Sequence, residues 1–241
     1  MNDFSKPARV NSEKDFGGLE KQLKVDFKNK NILTQAFCHR SFLNENPDCG
    51  LENNERLEFL GDAVLELVVT EYLYASFPQK SEGDLTNWRA SLVNAKMLAE
   101  IAKNIGFNDF ILLSKGEEKE DGKARQYILA NTFEAFVGAL YLDLGYKTCQ
   151  DFITTHLIKE LSGIIKNGLY KDAKSNFQEE AQEIKGITPT YKVLKEWGPD
   201  HAKNFTIGVY LEEELIARGE GLSKQEAEVA AAKEALKVKK W

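Results

Sequence analysis

NNERLEFLGDAVLELVVTEYLYASFP, residues 53–78, has the length of a helix and is apolar on nearly every side except for a stripe of carboxylates at Glu55, Glu58, Asp62 and Glu66. Spacings of three and four residues put these acids on one helical face. Like charges on an apolar helix repel, and desolvation raises their cost, so a compensating positive charge is expected beside them. A divalent cation supplies it most economically. A blander alternative stays open: Glu55 has Arg56 as its neighbour in the chain, Glu66 is accounted for by solvent alone, and acid pairs at helical spacing such as Glu58 with Asp62 are common on surfaces, although the apolar surroundings weaken that reading for this pair.

A second apolar segment, ILANTFEAFVGALYLD at 128–143, is interrupted only by Asn131, Thr132 and Glu134. Asn131 and Glu134 are again helical neighbours. Gly61 and Gly138 remove side-chain bulk from the two segments, which lets them pack closely and gather Glu58, Asp62, Asn131 and Glu134. Four oxygen ligands suit a hard ion such as Mg²⁺, with Mn²⁺ also acceptable, and such an ion activates water for hydrolysis.

The 241 residues suffice for two modest domains, each with its own core. From Leu19 to about Lys166 the pattern is helical, with segments near 19–25, 30–39, 53–76, 82–105, 126–143 and 147–166. The polar stretch 167–175 reads as a linker and 1–18 as a flexible tail. Residues 176–241 follow a different order: a short helix at 176–184, alternating apolar positions at Tyr191, Val193 and Trp197, and again at Phe205, Ile207, Val209 and Leu211. A third strand near 215–218 follows an acidic turn at 212–214, and an alanine-rich helix at 224–238 closes the chain. The order is α-β-β-β-α.

No apolar run reaches the length of a membrane span, and the first fifteen residues lack the apolar centre of a secretory signal. Cys38, Cys49 and Cys149 form neither a disulfide framework nor a metal motif, which fits a reducing cytoplasm. His39, His156 and His201 are too scattered for a metal site, and His39, between Phe37 and Phe42, reads as a satisfied core residue rather than a base. The formal net charge of −6 excludes a uniformly basic nucleic-acid binder, and neither half, divided at Lys171, is basic overall. It leaves a local basic patch open.

With HRSF at 39–42, ERLEFLGDAVLEL at 55–67, SEGDLTNWRASLVN at 81–94 and ILANTFEAFVGALYLD at 128–143, the first part resembles the nuclease domain of ribonuclease III over roughly residues 19–165. Residues 172–241 resemble a double-stranded RNA-binding domain through FQEEAQ at 177–182, GPDHAKNFTIGVYL at 198–211 and GEGLSKQEAEVAAAKEAL at 219–236. The implied protein is multidomain, an all-α endonuclease domain at 19–166 followed by a small α+β domain at 176–241. It is a homodimer that cleaves double-stranded RNA with Mg²⁺, leaving 5′-phosphate and 3′-hydroxyl ends, in the processing of rRNA and mRNA.

The resemblance makes Glu58, Asp62, Asn131 and Glu134 metal ligands, with Asp62 and Glu134 catalytic, and Glu55 and Glu82 acidic neighbours. Phe59 matches an aromatic that inserts into the partner subunit. On the RNA-binding domain it implies minor-groove contacts at Gln178, Glu179, Pro199 and His201 and a phosphate contact at Lys224. Three positions depart from the family pattern. Asn131 stands where an aspartate is usual, Gln225 where a second lysine is common, and Tyr127 where a small hydroxyl residue is common just before the helix. Asn131 is the sequence support for the alternative, a double-stranded RNA-binding protein of this fold with weakened or no hydrolysis. A phosphohydrolase acting on small nucleotides is disfavoured, because it would leave the RNA-binding domain without a purpose.

Overall fold

The computed structural model describes residues 14–119, 121–166, 168, 173–199 and 203–241. Two compact units divide between Asn167 and Gly168. The expected linker lies largely outside the described residues, except that the second unit's first helix already begins at Ala173.

The first unit is helical: α1 Gly17–Leu23, α2 Lys30–Ala36, α3 Arg40–Glu45, α4 Glu55–Ser76, α5 Glu82–Leu92, α6 Ala95–Asn104, α7 Lys123–Leu144, α8 Tyr146–His156 and α9 Leu161–Lys166. Its centre is α7, where Ile128, Leu129, Ala130, Phe133 and the run from Ala135 to Leu140 are buried. A helix hidden on so many sides shows no single apolar face, which is why its sequence is apolar nearly all the way round. Phe107 and Phe152 lie against Phe136 with ring centroids 4.9 and 5.1 Å away, and Phe37 meets Phe107 edge-on at 4.9 Å.

α4 lies along α7 with no room for a side chain at the crossing. A Cβ at Gly61 would stand 1.7 Å from the Glu134 carbonyl oxygen, and one at Gly138 would stand 2.2 Å from the Leu57 carbonyl oxygen. The glycines therefore set the distance between the two acid-bearing helices.

Several segments differ from the pattern expected from the sequence. The expected helix 82–105 is two helices: Asn94 accepts from the Met97 amide at 3.0 Å as the N-cap of α6 and donates to the Ser91 carbonyl at 2.8 Å. The expected helix 147–166 breaks after His156, passes through a 3₁₀ turn at Ile158–Glu160 and resumes as α9. α3 is an additional short helix, capped by His39 Nδ1, which accepts from the Ser41 amide at 3.3 Å. α1 starts inside the expected tail, because Leu19 and Leu23 are buried. Tyr127 is not at a cap: α7 begins four residues earlier, after Gly122 at φ 70°.

The second unit runs α10 Ala173–Lys185, β1 Thr190–Trp197, β2 Asn204–Leu211, β3 Glu214–Gly221 and α11 Lys224–Lys239. The antiparallel sheet has the order β1-β2-β3, with Val193 opposite Ile207 and Ile207 opposite Gly219. Phe177 and Ala181 of α10, Val209, Leu211 and Ile216 of the sheet, and Ala231, Ala232 and Ala235 of α11 make the core. The alanines are there for fit as well as helix propensity. A Cβ at Gly219 would meet the Ala231 amide nitrogen at 2.1 Å, so α11 rests directly on β3. The third strand is longer than expected, and its turn is reduced to Glu212 and Glu213. Among the described residues no helix is long and apolar enough to cross a membrane.

Candidate active site and RNA-binding face

The contact at Gly61 brings the acid-bearing turns of α4 and α7 together. Glu58 and Asn131 share a side-chain hydrogen bond across the two helices. Because a carboxylate only accepts, the Asn131 amide donates, which leaves its carbonyl oxygen for another partner. Glu134 carries the largest perturbation of the set. Burial first, then the charges of Asp62 and Glu58, push its carboxyl up to about 7. Burial and the Glu55 charge also raise Glu58, the hydrogen bond from Asn131 opposes them, and Asp62 adds to the rise.

Among the described residues no lysine or arginine forms an ion pair with Glu58, Asp62 or Glu134, whereas the outer acids of the stripe are paired. Arg40 stands 3.7 Å from Glu55, and Arg89 stands 3.7 Å from Glu66. These replace the Arg56 and the solvent that the sequence suggests for the two acids. Both partners come from other elements, so spacing along α4 could not reveal them.

Half-buried Glu58 and Glu134, exposed Asp62 and the Asn131 amide oxygen, with no ion-pair partner for the three acids among the described residues, are the donor chemistry of a hard divalent cation. Among the described residues no three acidic, histidine or cysteine side chains are drawn close enough together to enclose an ion. The acids nevertheless act on one another: after burial, the charges of Asp62 and Glu58 contribute to the rise at Glu134.

Glu82 is not among the charges acting on Glu58 or Glu134. It opens α5, accepts from the Thr86 hydroxyl at 3.0 Å, and helps line a cavity of about 430 Å³ with Thr70, Leu73, Tyr74 and Arg89. Phe59, beside Glu58, is 83% exposed. His39 is engaged at Nδ1 with Ser41 Oγ at 2.8 Å, and burial pushes its imidazole pKa down, in line with a structural role.

On the second unit, Gln178 and Glu179 are exposed on α10, Pro199 is exposed after β1, and His201 lies outside the described residues. Lys224 and Gln225 are exposed in the first turn of α11. That turn is closed by a reciprocal cap: Ser223 Oγ accepts from the Glu226 amide at 3.1 Å, and Glu226 accepts from the Leu222 amide at 3.0 Å.

Sequence reasoning missed a third member of this face. Lys203 pairs with Glu196 at 2.9 Å, and hydrogen bonding from Lys203, aided by the charge of Lys224, holds the Glu196 carboxyl below its usual value. Glu196 thus holds Lys203 at the end of the sheet and feels the charge of Lys224 at the N-terminus of α11, where partial positive charge also collects. Lys203 was legible in HAKNF as a cation flanking the β1–β2 connection.

The model of a Ribonuclease-III-like domain matches residues 29–161, and that of a Double-stranded RNA binding motif matches residues 173–239. Ribonuclease 3 of Carboxydothermus hydrogenoformans is 48% identical over 222 residues, 92% of this chain and 94% of the relative. Ribonuclease 3 of Borreliella burgdorferi is 45% identical over 215 residues, 89% and 87% of the two chains. Among solved structures, the nuclease domain of ribonuclease III from Campylobacter jejuni, described for flexibility in a region involved in dimer formation, aligns with a TM-score of 0.55 and 43% identity. It covers 60% of this chain and 97% of its own. With both units matched and relatives aligned over most of their lengths, the chain belongs to the ribonuclease III family.

Proposed function

We propose that this chain is an endoribonuclease that cuts double-stranded RNA as a homodimer, using Mg²⁺ or, in its place, Mn²⁺. The observation that carries the reading is the acid set of α4 and α7, half-buried Glu58 and Glu134 with exposed Asp62, which among the described residues has no lysine or arginine paired to it. Glu58, Asp62, Glu134 and the Asn131 carbonyl oxygen would hold the metal. When bound, a divalent cation supplies a water of lowered pKa and charge neutralisation at phosphorus. Burial and the neighbouring acids push the metal-free Glu134 carboxyl up to about 7, so a cation held there relieves the cost of its charge. Asp62 adds negative charge on the same side, and the Asn131 amide orients Glu58.

Hydrolysis of this kind leaves 5′-phosphate and 3′-hydroxyl ends. The second unit supplies the grip, with Gln178, Glu179, Pro199 and His201 for minor-groove contacts and Lys203 and Lys224 for phosphates. Exposed Phe59, Leu67 and Tyr74 on α4 are an apolar surface in need of cover, which supports pairing with a second copy. Asn131 does not favour the binding-only alternative, because it stays within the acid set and keeps a ligand oxygen. Processing of rRNA and mRNA precursors in the cytoplasm fits such an activity.

A long RNA duplex incubated with the protein and Mg²⁺ should shorten to small duplexes, and EDTA should prevent it. Glu134→Gln and Asp62→Asn should each lower cleavage by at least about 10²-fold while duplex binding in gel shifts stays within about twofold. Undiminished cleavage by both variants would remove the acid set from the chemistry.

A further inference from the structure

α7 is buried along most of its middle, but besides exposed Tyr141 and Leu142 near its end, a stripe in its first half reaches solvent, exposed at Lys123 and Tyr127 and half-buried at Asn131 and Glu134. It runs through Lys123, Tyr127, Asn131 and Glu134, spaced by four, four and three residues, so that a cation, a phenol, an amide and an acid follow one another on one face. Tyr127 is 59% exposed, and among the described residues its hydroxyl has no hydrogen-bond partner. It lies roughly 10 Å along the helix from Glu134. An aromatic so exposed beside the acid set neither packs the core nor caps the helix.

We propose that Tyr127 is a substrate-positioning residue whose hydroxyl bonds a ribose 2′-hydroxyl near the scissile phosphate. The inference rests on the nuclease reading above. The chemistry favours the ribose over a phosphate: a neutral phenol donates and accepts, as a 2′-hydroxyl does, and the shallow minor groove of duplex RNA displays that group. Lys123, one turn away and exposed, is placed for a phosphate farther along the strand.

The test removes one oxygen from each side. Tyr127→Phe should raise KM roughly fivefold and leave kcat within about twofold. Duplexes carrying a single 2′-deoxyribose, scanned through the region around the cleaved bond, should show one position where the parent loses the same factor. At that position the parent and Tyr127→Phe should be indistinguishable. Equal KM for both proteins on all-ribose duplex overturns the proposal, as do deoxy penalties that simply add at every position. A dimer-to-monomer shift of Tyr127→Phe in sedimentation also overturns it, because the side chain would then belong to the subunit contact. Cleavage by the parent reports separately on the nuclease reading: if the parent cuts and Tyr127→Phe matches it, only the Tyr127 assignment falls.

Discussion

Glu134 is where the electrostatics of the nuclease unit concentrate. Its carboxyl lies at about 7 in the folded protein against about 4.3 in an unfolded chain. An acid raised by folding binds its proton more tightly in the folded state, so its stabilising contribution is complete below the unfolded value and disappears as pH rises through the folded one. In EDTA, the parent should therefore lose about 1–2 kcal/mol relative to Glu134→Gln between pH 5 and pH 8, after discounting for solvent at a partly open site. Chemical denaturation of both proteins across that range measures it; parallel curves would show that Glu134 ionises freely. Asn131 sharpens the same argument. Asn131→Asp exchanges a donor to Glu58 for a fourth negative charge, so it should destabilise the EDTA form by about 1 kcal/mol and lower the Mg²⁺ concentration for half-maximal cleavage. An unchanged metal requirement would mean that position 131 does not reach the ion.

Elements rather than residues decide how closely the acids meet, and the tightest constraint is at the crossing of α4 and α7. Gly61→Ala must push a methyl into the Glu134 carbonyl, so the helices have to separate, at a cost of about 3 kcal/mol or more. Urea unfolding should show that loss, and cleavage should fall with it; a change under about 1 kcal/mol would mean that the contact relaxes easily. This crossing is legible in the amino-acid sequence, because acids, amide and glycines share two helical periodicities that point at each other. The break at Val93 and Asn94 is not, since apolar periodicity runs across it, although Asn94 carries a capping signal. Arg40 beside Glu55 and Arg89 beside Glu66 are invisible there for another reason. They arrive from α3 and α5, and pairing between elements leaves no trace in spacing along one of them.

At the scale of the whole molecule, a chain of net charge −6 is expected to grip a polyanion, and local geometry resolves the tension. Lys203 at the end of the sheet and Lys224 at the N-terminus of α11 both act on Glu196, so the second unit presents a cationic spot on a protein of net negative charge. That spot has few members, and its contribution should be correspondingly sensitive to one more. Gln225 sits exposed in the same turn of α11 as Lys224, where a lysine would add an ammonium without displacing any packed atom. In the full-length chain, Gln225→Lys should tighten binding to duplex RNA and steepen the dependence of log Kd on log salt by about 0.9, the increment of one released counterion on a duplex. The measurement is a salt titration in EDTA, so that cleavage does not erode the substrate. If affinity rises at every salt concentration with an unchanged slope, residue 225 meets the groove rather than a phosphate. If neither affinity nor slope moves, the start of α11 does not face the RNA, and the phosphate contact assigned to Lys224 falls with it.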